Sequence, residues 1–151
     1  AQTPYAMAPA YEPPAWSALP EAGPYSLEII REGVVLESID ISERPFYILG
    51  RDPASAQVVL PHPSVSRQHA AIQHRDSGGV WLMDLGSTHG TILNKKPCPP
   101  NVYVRLPVGA TVRLGTGSRL VCLLGPPDAE EPGRGEQAST ARQAARAQRL
   151  G

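Results

Sequence analysis

At 151 residues, the chain is long enough for one folded domain with tails. Its 14 lysines and arginines balance 14 aspartates and glutamates, so its overall charge does not indicate a nucleic-acid-binding protein. The sequence lacks an apolar run long enough to span a membrane, and two cysteines are too few for a disulfide framework. These features favour a reduced, intracellular compartment. Because the first residue is Ala1, the sequence is also compatible with a segment of a longer protein.

Residues 1–24 contain six of the 17 prolines and show the period of neither a strand nor a helix. They predict a proline-rich, largely irregular leader. Tyr11 and Trp16 are large side chains for a wholly disordered tail. Two interpretations therefore remain open. The leader is either a ligand for another module or, as we favour, is anchored by Trp16 to the domain that follows.

From Tyr25 onward, short apolar stretches alternate with turn residues, which is typical of strands. The predicted strands cover residues 25–31, 34–41, 46–49, 58–60, 70–75, 80–83, 91–93, 103–106, 111–114 and 120–124. About ten or eleven short strands without a helical apolar stripe predict an all-β fold, an antiparallel β-sandwich over residues 25–126. Strands 80–83 and 120–124 are the most apolar, so we expect them to be central and covered on both faces. Cys122 is then expected to be a buried small hydrophobe.

The C-terminal residues 127–151 are predicted to be a flexible linker followed by a possible short helix. Alanine, glutamine and arginine favour a helix here, and Thr140 is a candidate N-cap. Arg142, Arg146 and Arg149 would share one face of that helix. This stripe is open to two interpretations, an RNA or acidic-protein contact or a solvated, partly formed helix. We favour the second because no apolar face is present to dock the helix.

Three loops beside the predicted strands concentrate cations, hydroxyls and glycines; they contain residues 50–51, 64–69 and 86–91. A phosphorylated side chain carries a charge of about −1.5 to −2 and three strong acceptor oxygens. It is held well by a guanidinium with two parallel donors and by hydroxyl or backbone N–H groups. Arg51 and Arg67 can supply the guanidinium. Hydroxyl groups are available on Ser66, Ser87 and Thr88. The three loops therefore predict a phosphate-binding site.

The order and spacing of these motifs resemble the signature of the forkhead-associated (FHA) domain over about residues 25–126. The motifs are Gly50-Arg51, then Ser66-x-x-His69, then Gly-Ser-Thr-His-Gly-Thr-x-x-Asn at 86–94. The resemblance implies an FHA/SMAD-like sandwich that recognises phosphothreonine in a partner protein through three loops. It implies no enzyme activity, no cofactor and no metal. It also implies a monomer of the nucleus or cytoplasm, or both, that does not bind membranes.

The resemblance also implies a role for each motif residue. The residues expected to bind phosphate are Arg51, Ser66, Arg67 and Thr88. The residues expected to bind the peptide backbone are His89 and Ser87, although the commonest family pattern has asparagine where this chain has His89. The residues expected to shape the loops are Gly50, His69, Gly86, Gly90, Thr91 and Asn94. Preference for residues flanking the phosphothreonine would come from the variable loops 52–57, 75–79 and 94–101.

Other classes of function remain as alternatives. An FHA fold can serve as a scaffold that binds partners without phosphate, although the presence of both Arg51 and Ser66 argues against this. A more distant alternative is a hydrolase that uses Ser66, His69 and Asp84. This alternative is weak because the sequence lacks a Gly-x-Ser-x-Gly elbow. The histidines and cysteines lack the paired spacing of a zinc site. A bond between the two cysteines is a minor alternative to free thiols.

Overall fold

The computed structural model describes residues 10–127, which form eleven strands in two sheets packed as a sandwich. The strands are β1 (Ser26–Arg31), β2 (Val34–Asp40), β3 (Phe46–Gly50), β4 (Val58–Val59), β5 (Ala70–His74), β6 (Val80–Asp84), β7 (Thr91–Leu93), β8 (Lys96–Pro97), β9 (Val104–Arg105), β10 (Thr111–Leu114) and β11 (Arg119–Leu124). The predicted all-β sandwich is confirmed. Residues 10–127 contain no helix that is long and apolar enough to cross a membrane.

The six-stranded sheet has the order β2-β1-β11-β10-β7-β8, and the five-stranded sheet has the order β4-β3-β5-β6-β9. Paired strands are antiparallel except β3 and β4, which run parallel. The chain passes from one sheet to the other between β6 and β7, so the loop of residues 85–90 lies at the end of the sandwich. Strand β8 was not predicted, and the predicted strand 103–106 is shorter, as β9.

Aliphatic side chains fill the core between the two sheets, as expected for a chain with a single phenylalanine. The largest fully buried apolar side chains are Leu27, Ile41, Leu49, Ile72, Leu82, Leu106 and Leu123. They come from both sheets, and burial of this apolar surface is the main stabilising term. Two histidines, His69 and His74, are also fully buried.

Strand β11 is central, as predicted, but its expected cover on both faces is wrong. Val121 and Leu123 point into the core, whereas Leu120 and Leu124 on the other face are each 37% exposed. Cys122 shares the outer face and is only half-buried, which also corrects its expected burial. Apolar density alone misled the prediction because it does not say whether another element covers the outer face of a sheet.

Strand β5 is buried on both faces, because the leader covers the outer face of the five-stranded sheet. The Tyr11 ring packs on Phe46, with ring centroids 4.8 Å apart. The Trp16 ring meets Trp81 at 6.2 Å and Tyr103 at 4.9 Å in edge-on arrangements. The prediction that Trp16 anchors the leader is thus confirmed.

The remaining terminal predictions lie outside the described residues. These are the conformation of residues 1–9, the C-terminal linker and helix, and the arginine stripe at Arg142, Arg146 and Arg149. Both cysteines, Cys98 and Cys122, are free thiols, and burial raises the pKa of each.

Candidate functional site

The three predicted loops meet around one groove with a volume of about 930 Å³. Its polar lining includes Arg51, Ser66, Arg67 and Thr88, the four residues expected to bind phosphate. The loops 52–57 and 94–101 also contribute to the lining, whereas the loop 75–79 lines a separate pocket. The fold therefore brings together residues that lie up to 37 positions apart in the sequence.

Gly50 allows the loop of residues 64–69 to approach the end of β3 closely. A Cβ atom added at Gly50 would overlap the backbone carbonyl of Arg67. The contact is fixed by a hydrogen bond from the Arg51 amide to the Ser66 carbonyl, 3.0 Å long. Glycine is needed here for space, since any side chain would push the two backbones apart.

Arg51 is exposed in the groove, but its side chain is held at one end. Its Nε donates to the Val65 carbonyl at 2.9 Å. The two terminal nitrogens have no partner among residues 10–127. This arrangement orients the guanidinium and leaves its paired donors available to an anion.

Ser66 and Thr88 connect the first and third loops across the groove. The Thr88 amide donates to Ser66 Oγ over 3.3 Å, a long hydrogen bond. Because Oγ accepts this bond, the Ser66 hydroxyl proton can be donated to a ligand oxygen. Arg67 lies beside them and is exposed. Arg51, Ser66, Arg67 and Thr88 thus line the same groove.

His69 is buried below the groove-lining residues and links the same two loops by hydrogen bonds. Its Nδ1 accepts from the Ser66 amide at 3.0 Å, and its Nε2 donates to the Gly90 carbonyl at 2.8 Å. Burial lowers the pKa of His69, so the ring is neutral with its proton on Nε2. A fully buried ring with both nitrogens engaged shapes the loops, which is the role that the family resemblance implies.

Asp84 organises the third loop, a role that the sequence analysis missed. Its Oδ2 accepts from the amides of Gly86 and Ser87, each at 3.0 Å. Its Oδ1 accepts from the hydroxyls of Ser87 and Thr91, each at 2.6 Å. Burial opposes ionisation, but the hydrogen bonds from Ser87 and Thr91 outweigh it and lower the pKa of Asp84. An aspartate two residues before a glycine is a signal for such a turn.

Other motif residues complete the loop. Ser87 Oγ donates to Asp84 and accepts from the Gly90 amide at 2.9 Å, so its hydroxyl is engaged within the loop. Gly86 and Gly90 adopt φ values of 75° and 86°, in the left-handed region that favours glycine. Asn94 Oδ1 accepts from the Thr111 amide at 3.0 Å. A direct contact between Ser87 and a ligand stays a prediction.

His89 is exposed on the third loop and is not among the described residues that line the groove. The structure thus leaves its ring accessible without giving it a role in the loop network. Its predicted contact with a ligand backbone stays a prediction.

The geometry does not support the hydrolase alternative, because Ser66, His69 and Asp84 are not arranged as a catalytic triad. His69 Nδ1 accepts from the backbone amide of Ser66, and Nε2 donates to Gly90, so neither ring nitrogen is left to activate the Ser66 hydroxyl. Asp84 Oδ1 is 3.9 Å from His69 Nε2, beyond hydrogen-bond distance. Within residues 10–127, no group of three or more histidine, cysteine, aspartate or glutamate side chains could hold a metal ion. The described site offers donors to an anion.

The FHA-domain family model matches residues 47–115. The chain is 30% identical to the FHA domain of FhaA, solved in complex with the intracellular domain of Rv3910. That match has a TM-score of 0.54 and covers 66% of this chain and 98% of the FhaA chain. This chain belongs to the FHA family.

Two other similarities extend this comparison. It is 43% identical over 136 residues to human kanadaptin, a match that covers 83% of this chain and 18% of kanadaptin. The chain therefore spans less than a fifth of that relative. The N-terminal FHA domain of Rad53p from S. cerevisiae, in complex with a phosphothreonine peptide, has the same fold. Its TM-score is 0.55 at 23% identity, covering 66% of this chain and 92% of that one.

Proposed function

We propose that this FHA domain is an interaction module that binds a phosphothreonine-containing segment of a partner protein. The phosphate would lie between Arg51, Ser66, Arg67 and Thr88. The observation that carries this proposal is the oriented Arg51 guanidinium, held at Nε by Val65 with both terminal nitrogens facing no described partner.

The chemistry of the groove favours phosphate over a simple carboxylate. A carboxylate offers two oxygens, whereas phosphate offers three acceptor oxygens and up to two negative charges. Two arginines and two hydroxyls match the oxygens and charge of a phosphate better than those of a carboxylate. The groove is also larger than a phosphate group requires, so adjoining peptide residues can enter it.

The similarity to other FHA domains supports a peptide as the ligand. The Rad53p domain was solved with a phosphothreonine peptide, and the FhaA domain with part of another protein. The scaffold alternative, binding without phosphate, would leave the orientation of Arg51 without a use. Localisation to the nucleus or cytoplasm and the monomeric state stay predictions.

The test is calorimetry with a phosphothreonine peptide selected from an oriented library. Removal of two charge-assisted hydrogen bonds, each worth about 1.5–3 kcal/mol, should weaken binding of the Arg51→Ala variant by about a hundredfold or more. Arg113→Ala is the matched control, because Arg113 is an exposed arginine on β10 in the other sheet. It should bind as the native chain does.

Three further peptides decide between the alternatives. Threonine and phosphoserine versions of the same peptide measure the requirement for phosphate and for the threonine methyl group. Equal affinity for the threonine and phosphothreonine peptides would establish the scaffold alternative instead. Equal loss of affinity in Arg51→Ala and Arg113→Ala would mean that the effect is one of overall charge.

The third peptide carries glutamate in place of phosphothreonine. It tests whether a negative charge alone is sufficient for binding, and we expect it to bind weakly.

A further inference from the structure

The leader forms part of the same groove that contains the candidate phosphate site. Ala10, Tyr11 and Glu12 line the groove together with Arg51, Ser66, Arg67 and Thr88. The match to the family model begins at residue 47, so it assigns no role to these leader residues. The groove thus has two sources, the three signature loops on one side and the leader on the other.

Tyr11 is fixed against the sheet and is not a loose flap. Its hydroxyl donates to Gln73 Oε1 at 2.7 Å and shares a second hydrogen bond with the Tyr103 hydroxyl at 2.6 Å. Its ring packs on Phe46. Burial, followed by the hydrogen bond to Tyr103, raises the pKa of Tyr11, so the hydroxyl stays protonated. These contacts hold the backbone of the neighbouring Glu12 at the groove.

A second set of contacts holds the leader beyond the groove. The Trp16 carbonyl accepts from the Asp76 amide at 2.9 Å, and Ser17 forms an antiparallel bridge with Arg75. The Arg75 guanidinium lies over the Trp16 ring at 4.7 Å and also over Trp81 at 5.4 Å. The leader is therefore attached at both ends of residues 11–17, and Glu12 lies between the attachments.

Two acids among residues 10–127 line this groove, and Glu12 is the one whose carboxylate is not engaged in a turn. The other acid in the lining, Asp52, is engaged in its own turn, accepting from the Ala54 amide at 3.0 Å and the Ser55 hydroxyl at 3.1 Å. The Glu12 carboxylate is exposed and has no hydrogen-bond or ion-pair partner among residues 10–127. The groove lining thus contains two arginines and two carboxylates, and the Glu12 carboxylate is the one without a hydrogen bond among residues 10–127.

We propose that Tyr11 and Glu12 form a fixed wall of the peptide groove, and that Glu12 selects partners with a lysine or arginine near the phosphorylated residue. This inference rests on the proposed function, because it places the phosphate at the arginine side. A peptide with a phosphate and a nearby cation would complement both sides of the groove. An acidic residue at the same position would face the Glu12 carboxylate and be disfavoured.

The experiment uses the full chain and an oriented peptide library with fixed phosphothreonine and randomised flanking residues. The native chain should enrich lysine and arginine at one flanking position by about two- to fivefold, the range of an exposed ion pair. Glu12→Gln should abolish that enrichment. Glu12→Lys should replace it with enrichment of aspartate and glutamate at the same position.

The control variant is Glu21→Lys, which makes the same charge change in the leader. Glu21 is exposed and lines the pocket near Arg75, not the groove. It should leave the flanking preference unchanged. The preference should also weaken as salt is raised, since exposed charges are screened.

The outcomes separate this inference from the proposed function. If Glu12→Lys selects the same flanking residues as the native chain while binding still requires phosphate, the wall inference is wrong and the proposed function stands. The wall inference is also wrong if Glu21→Lys shifts the preference as much as Glu12→Lys does. If the native chain binds no member of the library in a phosphate-dependent way, both the wall inference and the proposed function are wrong.

Discussion

The outer faces of the two sheets differ in their cover, although each sheet has an apolar central strand. On the five-stranded sheet, the leader covers β5, and all five of its residues are buried. On the six-stranded sheet, β11 is equally central, yet Leu120 and Leu124 on its outer face remain exposed. Position within a sheet therefore does not decide burial; the presence of a covering segment does.

The covered face also holds a polar side chain that the bare face could not bury. Gln73 on β5 is fully buried, and its amide nitrogen donates to the Ser17 hydroxyl at 2.8 Å while its oxygen accepts from Tyr11. A buried amide is tolerated only when its hydrogen bonds are satisfied. Two of the four partners among residues 10–127, Tyr11 and Ser17, come from the leader, and the other two are the Pro45 and His74 carbonyls, so the cover is specific and not merely apolar.

The largest expected effect comes from removal of the main apolar anchor of the cover. Trp16→Ala should lower the free energy of unfolding by about 3 kcal/mol, toward the low end for a large aromatic because Trp16 is only half-buried. On the bare face, Leu120→Ala should cost about 0.5 kcal/mol. Urea denaturation followed by circular dichroism measures both. Similar losses for the two variants would remove the distinction between the faces.

The next expected effect concerns pH, and it follows from the two buried histidines at β5. Burial lowers the pKa of both His69 and His74, so their neutral forms are favoured in the folded state. Below about pH 6.5 the unfolded chain binds these protons more readily than the folded chain does. Stability should therefore fall as pH decreases from about 7 toward 5, by at most about 1.4 kcal/mol per pH unit for each histidine.

Urea denaturation at several pH values measures that fall, and His74→Gln serves as the comparison. Because His74 is one of the two rings whose pKa is lowered by burial, the fall should become smaller when this ring is removed. An unchanged pH dependence in His74→Gln would mean that other groups cause it. His74 Nε2 donates to the Ile41 carbonyl at 2.6 Å, and the glutamine amide can replace this donor.

The smallest expected effect concerns a single hydroxyl in the cover. Tyr11→Phe removes the hydroxyl that connects Gln73 and Tyr103 but keeps the ring on Phe46. We expect a loss of about 1 kcal/mol in the free energy of unfolding. A double-mutant cycle with Tyr103→Phe measures the coupling between the two hydroxyls. Strictly additive losses would show that this contact does not help to hold the cover.

The strands and the three loops could be predicted from sequence because their signals are local. Turn residues separate the strands, and the motif residues lie within a few positions of one another in each loop. Strand β8 was missed because a two-residue strand containing Lys96 and Pro97 carries no apolar pattern. Whether another segment covers the outer face of β5 or of β11 depends on contacts between distant parts of the chain. The hydrophobic periodicity of a strand carries no information about such contacts.

The same limit applies to the candidate site. The convergence of Arg51, Ser66 and Thr88 was predicted from motif spacing through a family resemblance. The presence of Tyr11 and Glu12 in the groove was not, because it depends on hydrogen bonds across 62 and 92 residues of sequence. The sequence signal was the presence of Tyr11 and Trp16, two large aromatic residues, in a proline-rich leader.

The position of the leader has a consequence for the order of folding. It precedes all eleven strands of residues 10–127, yet its partner Tyr103 is 92 residues from Tyr11. Contacts of such high sequence separation require most of the sandwich to be formed first. The leader is synthesised before the strands that it covers and is thus expected to dock after them. Stronger leader contacts should then slow unfolding more than they accelerate folding, and the groove would be completed only at the final step.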